Sequence, residues 1–167
     1  MIKQKNIILT KEVVTKKINR LALEIAEQLI GDGNELIIIG IKKNGVTIAQ
    51  KIAMALQQNI EATIKVISAS LNKKNPTNVE LSEAIDFNNK IILICDDVCN
   101  SGKTLLYVLK PLLSFHPKRI QTLVLVERMH KQFPIKPDYV GISIATTLEE
   151  NIEVEVINNE IEGATIA

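Results

Sequence analysis

The stretch Lys90-Ile-Ile-Leu-Ile-Cys-Asp-Asp-Val98, continued by Cys99-Asn-Ser-Gly-Lys-Thr104, decides the fold. Ile91 to Cys95 is a continuous apolar run, far short of a membrane span and the right length for a strand buried on both faces. The run ends in two adjacent carboxylates. A small polar turn follows, and Thr104 to Ser114 reads as a helix that Pro111 must kink or shorten.

Upstream, Glu35-Leu-Ile-Ile-Ile-Gly-Ile41 is a second run of the same kind, rich in β-branched residues. Lys42-Lys-Asn-Gly45 reads as a turn, and Val46 to Gln58 as a helix with Ile48, Ile52 and Leu56 inward. Val14, Ile18, Leu21, Ile25 and Leu29 recur at steps of three and four, which predicts a helix from Thr10 to Ile30, N-capped by Thr10 and stopped by Gly31. Ala62 to Ser68, Ile120 to Val126, Tyr139 to Ala145 and Ile152 to Ile157 read as further strands. Strands alternating with helices predict an α/β fold, a mainly parallel sheet flanked by helices, in one domain over 1–167. Two segments stand outside this alternation. Residues 70–89 are polar and aperiodic, long for a connection, and read as a functional lid or a mobile loop. Glu127 to Asp138 is a charged loop with two prolines.

Apolar residues make up 46% of the chain and charged residues 23%, which excludes disorder as the main state. Twenty basic residues oppose 19 acidic ones, so no large footprint for nucleic acid shows in the totals, although a local basic face stays open. The arginines are Arg20, Arg119 and Arg128; every other basic residue is lysine. Cys95 and Cys99 make neither a disulfide framework nor a four-ligand zinc site, and read as reduced thiols, Cys95 buried and Cys99 a candidate for exposure. The N-terminal Met1 to Asn6 leads into a three-residue apolar patch, shorter than a secretory signal requires. A cytoplasmic protein without membrane contact is expected.

In an open α/β sheet, ligands bind beyond the carboxyl ends of the strands. The turn after Val98 joins an acidic pair to an Asn-Ser-Gly sequence that opens a helix. Backbone N–H groups at such a turn attract phosphate, Ser101 and Thr104 add hydroxyls, and Gly102 permits close approach. Carboxylates beside a phosphate site suit a metal ion or sugar hydroxyls, so the pattern points to a phosphorylated sugar with Mg²⁺. Strand-ending acids and a helix-capping Ser-Gly are the plain structural alternative. Gly102-Lys103-Thr104 also matches the end of a nucleotide-triphosphatase P-loop, but that motif needs glycine where Asp97 stands. A phospho-acceptor regulatory domain carries paired acids near its start, and too little chain follows Asp97 for that architecture.

The stretch Ile91 to Thr104, with Asp96-Asp97-Val98 and Ser101-Gly102-Lys103-Thr104, resembles the phosphoribosyl-pyrophosphate motif of type I phosphoribosyltransferases. Val124 to Gly141 and Leu36 to Ala53 are similar to stretches of the bifunctional pyrimidine-operon attenuator and uracil phosphoribosyltransferase family. The likeness covers most of the chain and implies the fold, with a lid at about 70–89 and a small hood at about 127–138 plus terminal segments. It implies that Asp96 and Asp97 bind the ribose hydroxyls, directly or through Mg²⁺, and that Asn100, Ser101, Gly102, Lys103 and Thr104 cradle the 5-phosphate. Lys42, Lys43, Asn44 and Gly45 would form the pyrophosphate turn, with a strained or cis peptide. Arg128, Phe133, Ile135 and Lys136 would approach the base, Lys136 donating to a base oxygen.

The implied activity is Mg²⁺-dependent transfer of phosphoribose from phosphoribosyl pyrophosphate to uracil, in a dimer or larger homo-oligomer. A hypoxanthine or guanine enzyme and a non-catalytic nucleotide-sensing RNA regulator stay open as alternatives. Three positions depart from the pattern. Asn44 stands where an arginine is usual, Asn100 is an amide that cannot take a proton, and the lid offers Lys73 and Lys74 in place of an arginine. These departures point to weak activity or another base. RNA binding would rest on Arg128, His130, Lys131 and Lys136, while Ile142 replaces a lysine usual in that family.

Overall fold

The computed structural model describes residues 5–33 and 35–167; residues 1–4 and 34 of the expected 1–167 domain lie outside them. The chain runs β1 (Asn6–Thr10), α1 (Lys11–Leu29), β2 (Glu35–Ile41), α2 (Asn44–Gln57), β3 (Thr63–Leu71), β4 (Val79–Leu81), β5 (Ile91–Cys99), α3 (Lys103–Val108), a 3₁₀ helix (Lys110–Ser114), β6 (Arg119–Arg128), β7 (Tyr139–Ile144), β8 (Ile152–Ile157) and β9 (Glu160–Ile166).

Six strands form the main sheet in the order β4-β3-β2-β5-β6-β7, parallel except for β4. The two continuous apolar runs, β2 and β5, lie side by side at its centre. Leu36 and Ile38 of β2, with Ile91, Leu93 and Cys95 of β5, face a core that includes Leu21 of α1 and Ile48 and Ile52 of α2. Ile37, Ile39 and Ile41, with Ile92 and Ile94, face a second core that includes Phe87 and Leu105 and Val108 of α3. Burial on both faces explains why these strands read as unbroken hydrophobic runs without polar alternation. The two ends of the chain build a separate antiparallel sheet, β1-β9-β8.

Helix α1 obeys its sequence. The Thr10 hydroxyl accepts the Val13 N–H at 3.4 Å, and the five residues of the apolar stripe are all buried. Helix α2 begins two residues earlier than expected, because Asn44 and Gly45 already take helical geometry. Helix α3 ends at Val108, and a 3₁₀ helix carrying Pro111 in its first turn replaces the rest. Proline has no N–H to continue an α-helix and its ring clashes with the preceding turn.

The aperiodic 70–89 segment is partly strand. β3 continues to Leu71, and β4 returns beside it, with Ala69 opposite Leu81 and Leu71 opposite Val79. Only residues 72–78 form the hairpin tip, and Phe87 is buried in the second core. Strands β1 and β9 were not expected. A register slip between Glu155 and Val156 of β8, opposite β9, breaks the alternation that would have marked β9 as a strand.

Ile38 is fully buried in the central strand. Ile38→Ala should cost about 2–5 kcal/mol, seen as a lower urea midpoint with an unchanged slope. A change below about 1 kcal/mol would contradict this packing.

Candidate active site

Strand register puts the two predicted turns together. Gly40 of β2 pairs with Cys95 of β5, so the chain leaving β2 stands beside Asp96 and Asp97. The Lys42–Lys43 peptide bond is cis. The Lys42 N–H donates to the Ala69 carbonyl at 2.9 Å, and the Val46 N–H to the Lys43 carbonyl at 3.2 Å. Gly45 lies against β5: a Cβ there would stand 2.6 Å from the Cys95 carbonyl oxygen and 3.1 Å from the Asp96 Cα, a space that only glycine fits. The Asn44 side chain turns across the site. Its Nδ2 donates to Asp97 Oδ2 at 3.0 Å and to the Val154 carbonyl of β8 at 2.9 Å.

Asp96 is 2% exposed. Its Oδ1 accepts the Asp97 N–H at 2.9 Å, and its Oδ2 lies 3.5 Å from Lys73 Nζ at the hairpin tip. Burial, reinforced by the neighbouring Asp97, pushes the Asp96 carboxyl up to about 8, against the pull of Lys73. Asp97 is less buried. Its Oδ1 accepts the Val98 N–H at 2.8 Å, so each of its oxygens holds one donor.

Beside this pair lies a cavity of about 190 Å³, walled by Asn100, Ser101, Gly102, Lys103 and Thr104 and overhung by Lys73. Gly102 has φ 87°, the left-handed conformation that glycine adopts without a steric penalty, and it turns the chain into α3. The Ser101 hydroxyl accepts the Lys103 N–H at 3.3 Å. The Ser101 carbonyl accepts N–H groups from Gln132 and Phe133, both at 3.0 Å, which ties the loop after β6 to the turn. At the hairpin tip, Asn72 Oδ1 accepts from the N–H groups of Lys74 and Asn75, and Lys110 Nζ donates to the Thr77 carbonyl at 3.2 Å.

The four residues expected near a base are not gathered in this cavity. Arg128 donates to Thr146 Oγ1 at 2.8 Å, to the Thr147 carbonyl at 2.9 Å and to Asn100 Oδ1 at 3.3 Å. Phe133 lies on the outer side of α3 with Leu106 and Leu113, and Ile135 packs behind Gly102. Lys136 is exposed and lines a separate open cleft of about 590 Å³ with Glu127, Lys131 and Ser143.

Lys73, expected as a lid cation, reaches Asp96 because the hairpin carries it there. Nothing in the sequence signals the part that Glu127 plays. Glu127 accepts from Ser143 Oγ at 2.8 Å and pairs with Lys131 at 3.1 Å. Burial works to raise its carboxyl, but the Ser143 and Lys131 hydrogen bonds outweigh it and hold it below the usual range. Cys99, a candidate for exposure, is instead buried, because β5 runs one residue past Val98 and carries it into the second core. The His130 ring sits on the Thr146 carbonyl.

A strand-ending acid pair, a glycine turn packed onto it and an adjoining small-residue cradle at the carboxyl edge of a parallel sheet together define a type I phosphoribosyltransferase. Residues 5–157 match the phosphoribosyl transferase domain, and the chain belongs to that family. It is 34% identical over 161 residues to Bifunctional protein PyrR of Limosilactobacillus reuteri, covering 89% of this chain and 90% of the relative. It is 31% identical to Bifunctional protein PyrR of Clostridium novyi, with 96% and 95% covered. Among solved structures it is similar to the hypoxanthine phosphoribosyltransferase of Trypanosoma cruzi, with TM-score 0.76, 21% identity, and 84% and 82% of the two chains covered. A hypoxanthine phosphoribosyltransferase from Staphylococcus aureus gives TM-score 0.73, 18% identity, and 88% and 80% covered. These two likenesses establish the fold. No helix among the described residues is long and apolar enough to cross a membrane.

The raised Asp96 carboxyl makes the free protein sensitive to pH. Its folded value of about 8 exceeds the unfolded value of roughly 3.9, so the folded state binds the proton more tightly. That contribution is fully present below about pH 4 and is lost as pH rises through about 8. Urea melts of the free protein should show stability falling from about pH 5 to about pH 8, and Asp96→Asn should flatten the fall. An identical slope in the variant would remove Asp96 as the cause.

Proposed function

We propose that this phosphoribosyltransferase moves phosphoribose from phosphoribosyl pyrophosphate to a nucleobase, uracil first, with Mg²⁺. One observation carries the reading: Asp96, the first of the acid pair, lines a cavity walled by the turn Asn100 to Thr104. A sugar 5-phosphate in that cradle brings its ribose hydroxyls to Asp96 and Asp97. The leaving pyrophosphate then lies toward the Lys42–Gly45 turn and Lys73. The choice of uracil draws support from the Val124 to Gly141 resemblance.

Asp96 and Asp97 fit a magnesium ion chemically, since both offer oxygen ligands. The described residues hold no cluster of three or more His, Cys, Asp or Glu side chains suited to a metal. The pair therefore suits a cation that takes its remaining ligands from substrate oxygens and water, the usual habit of Mg²⁺. When bound, it supplies charge compensation at the departing pyrophosphate.

The chain's own residues do the rest by positioning. Lys73 is the mobile counter-charge, poised between Asp96 and the place where pyrophosphate charge develops. Asn100 cannot accept a proton, and its amide oxygen is already bonded to Arg128. The turn thus lacks a general base, and transfer to the base depends on alignment and water exclusion. Lys136, in the separate open cleft with Glu127 and Ser143, would donate to the carbonyl of a base bound there. Of the basic residues considered for RNA, Arg128, His130 and Lys131 are engaged within the chain, which favours the enzymatic reading.

The test is pyrophosphate release with phosphoribosyl pyrophosphate, Mg²⁺ and uracil, hypoxanthine, guanine or adenine given singly. Release with uracil is expected, and Asp96→Asn with Asp97→Asn should abolish both release and phosphoribosyl-pyrophosphate binding while the fold persists. Binding without release for any base would sink the enzymatic reading.

Lys136→Ala should weaken uracil binding by about ten- to a hundredfold, as for loss of a charge-assisted hydrogen bond, and leave phosphoribosyl-pyrophosphate affinity nearly unchanged. Equal loss of both would remove Lys136 from the base site.

A further inference from the structure

We propose that Asn44 is a positioning residue: its amide holds the Asp97 carboxylate in place for the sugar and ties it to the terminal sheet, and does not itself grip pyrophosphate. This rests on the phosphoribosyltransferase reading above. A side-chain amide has two N–H donors. Both are committed, one to Asp97 Oδ2 at 3.0 Å and one to the Val154 carbonyl at 2.9 Å. No Asn44 N–H is left for a departing anion. The other Asp97 oxygen accepts the Val98 N–H at 2.8 Å. Two donors, one per oxygen, set the plane of the carboxylate and leave further acceptor capacity on both atoms.

The residue type suits this role. A neutral amide orients Asp97 without cancelling its charge, so the charge stays available to a cation or to ribose hydroxyls. An aspartate at 44 would have the same shape, but its carboxylate would face Asp97 and the Val154 carbonyl with no donor. An arginine would bring a competing cation to the acid pair. The second bond reaches β8, 110 residues along the chain, and makes the terminal sheet the anchor of the brace. A turn residue that served pyrophosphate alone would have no use for that anchor.

The test uses the full chain and has two arms. In the free protein, thermal melts of Asn44→Ala, Asp97→Ala and the double variant form a cycle. Coupled melts are expected, the double variant losing less than the two single losses combined. In the kinetic arm, Asn44→Ala should raise the KM for phosphoribosyl pyrophosphate by on the order of tenfold, with the KM for the base unchanged. Asn44→Asp should raise it further. A merely destabilising change would lower the active fraction, and so kcat, without moving either KM. Asn44→Arg separates the two roles: a lower KM for phosphoribosyl pyrophosphate would mark position 44 as a pyrophosphate contact and overturn the proposal. Additive melts, or Asn44→Asp behaving as wild type, would overturn it too. If the wild type neither binds nor consumes phosphoribosyl pyrophosphate, the functional reading fails by itself. The cycle then decides alone, coupled melts sustaining the brace on Asp97 and additive melts overturning it.

Discussion

Asp96 is a carboxylate at the end of a strand buried on both faces, with a second carboxylate next to it. That placement constrains everything around it. An isolated charge in such a position is costly, and two like charges are worse. The protein answers from three directions. The backbone N–H of Asp97 bonds Asp96, Lys73 of the hairpin tip approaches it, and the Asn44 amide donates to Asp97 while anchored on the terminal sheet. Even so, burial wins at Asp96 and favours the protonated form. A site so poorly compensated on its own is a site that gains by receiving cations and hydroxyl donors.

The partners differ in how firmly they are held, and the difference has a functional sense. The turn before α2 is locked: Gly45 touches the backbone of β5 so closely that a methyl group would not fit. The loop after β6 is fastened by two backbone hydrogen bonds to Ser101 and a third from Asp138 to the Thr122 carbonyl. The hairpin tip is not. It reaches the site through Lys73, half-exposed and 3.5 Å from its carboxylate, and through Lys110 on the Thr77 carbonyl. Contacts made by long, exposed lysines contribute little and are easily exchanged. The polar contacts around the cavity thus grade from fixed backbone joints to exchangeable lysine contacts at the hairpin tip.

The sheet and its edge were legible because burial on two faces leaves an unmistakable mark on β2 and β5, and because ligands gather where such strands end. The acid pair and the Ser101, Gly102 and Thr104 turn stand out on that ground, while the full cradle from Asn100 to Thr104 is what the family resemblance implies. What escaped was set by distant pairing. β1 shows only Ile7, Ile8 and Leu9, three apolar residues in a row, and its partner β9 lies at the other end of the chain. β9 itself is masked by a bulge opposite β8. The strand character of 79–81 comes from lying beside β3, since three residues have no period to read. The task of Asn44 depends on Val154, and no local rule connects a turn after the second strand to a carbonyl in the eighth.

The distribution of cations completes the logic. All three arginines are committed to holding the frame: Arg20 on the Val140 and Gly141 carbonyls, Arg119 on Asp32, and Arg128 on Asn100, Thr146 and Thr147. Rigid planar forks suit such fixed joints. The cations left at the cavity are the ammonium groups of Lys73 and Lys103. An ammonium is a compact charge with freely turning donors, so it can leave a carboxylate for a phosphate oxygen without needing a matched second bond. A guanidinium at the lid would bind either anion more specifically and would exchange them less readily. Lysine at 73 thus suits a position beside Asp96 whose partner can change, which accords with the proposed entry of a pyrophosphate group. The hairpin tip, which carries no arginine, trades the directional grip of a bidentate contact for that ease of exchange.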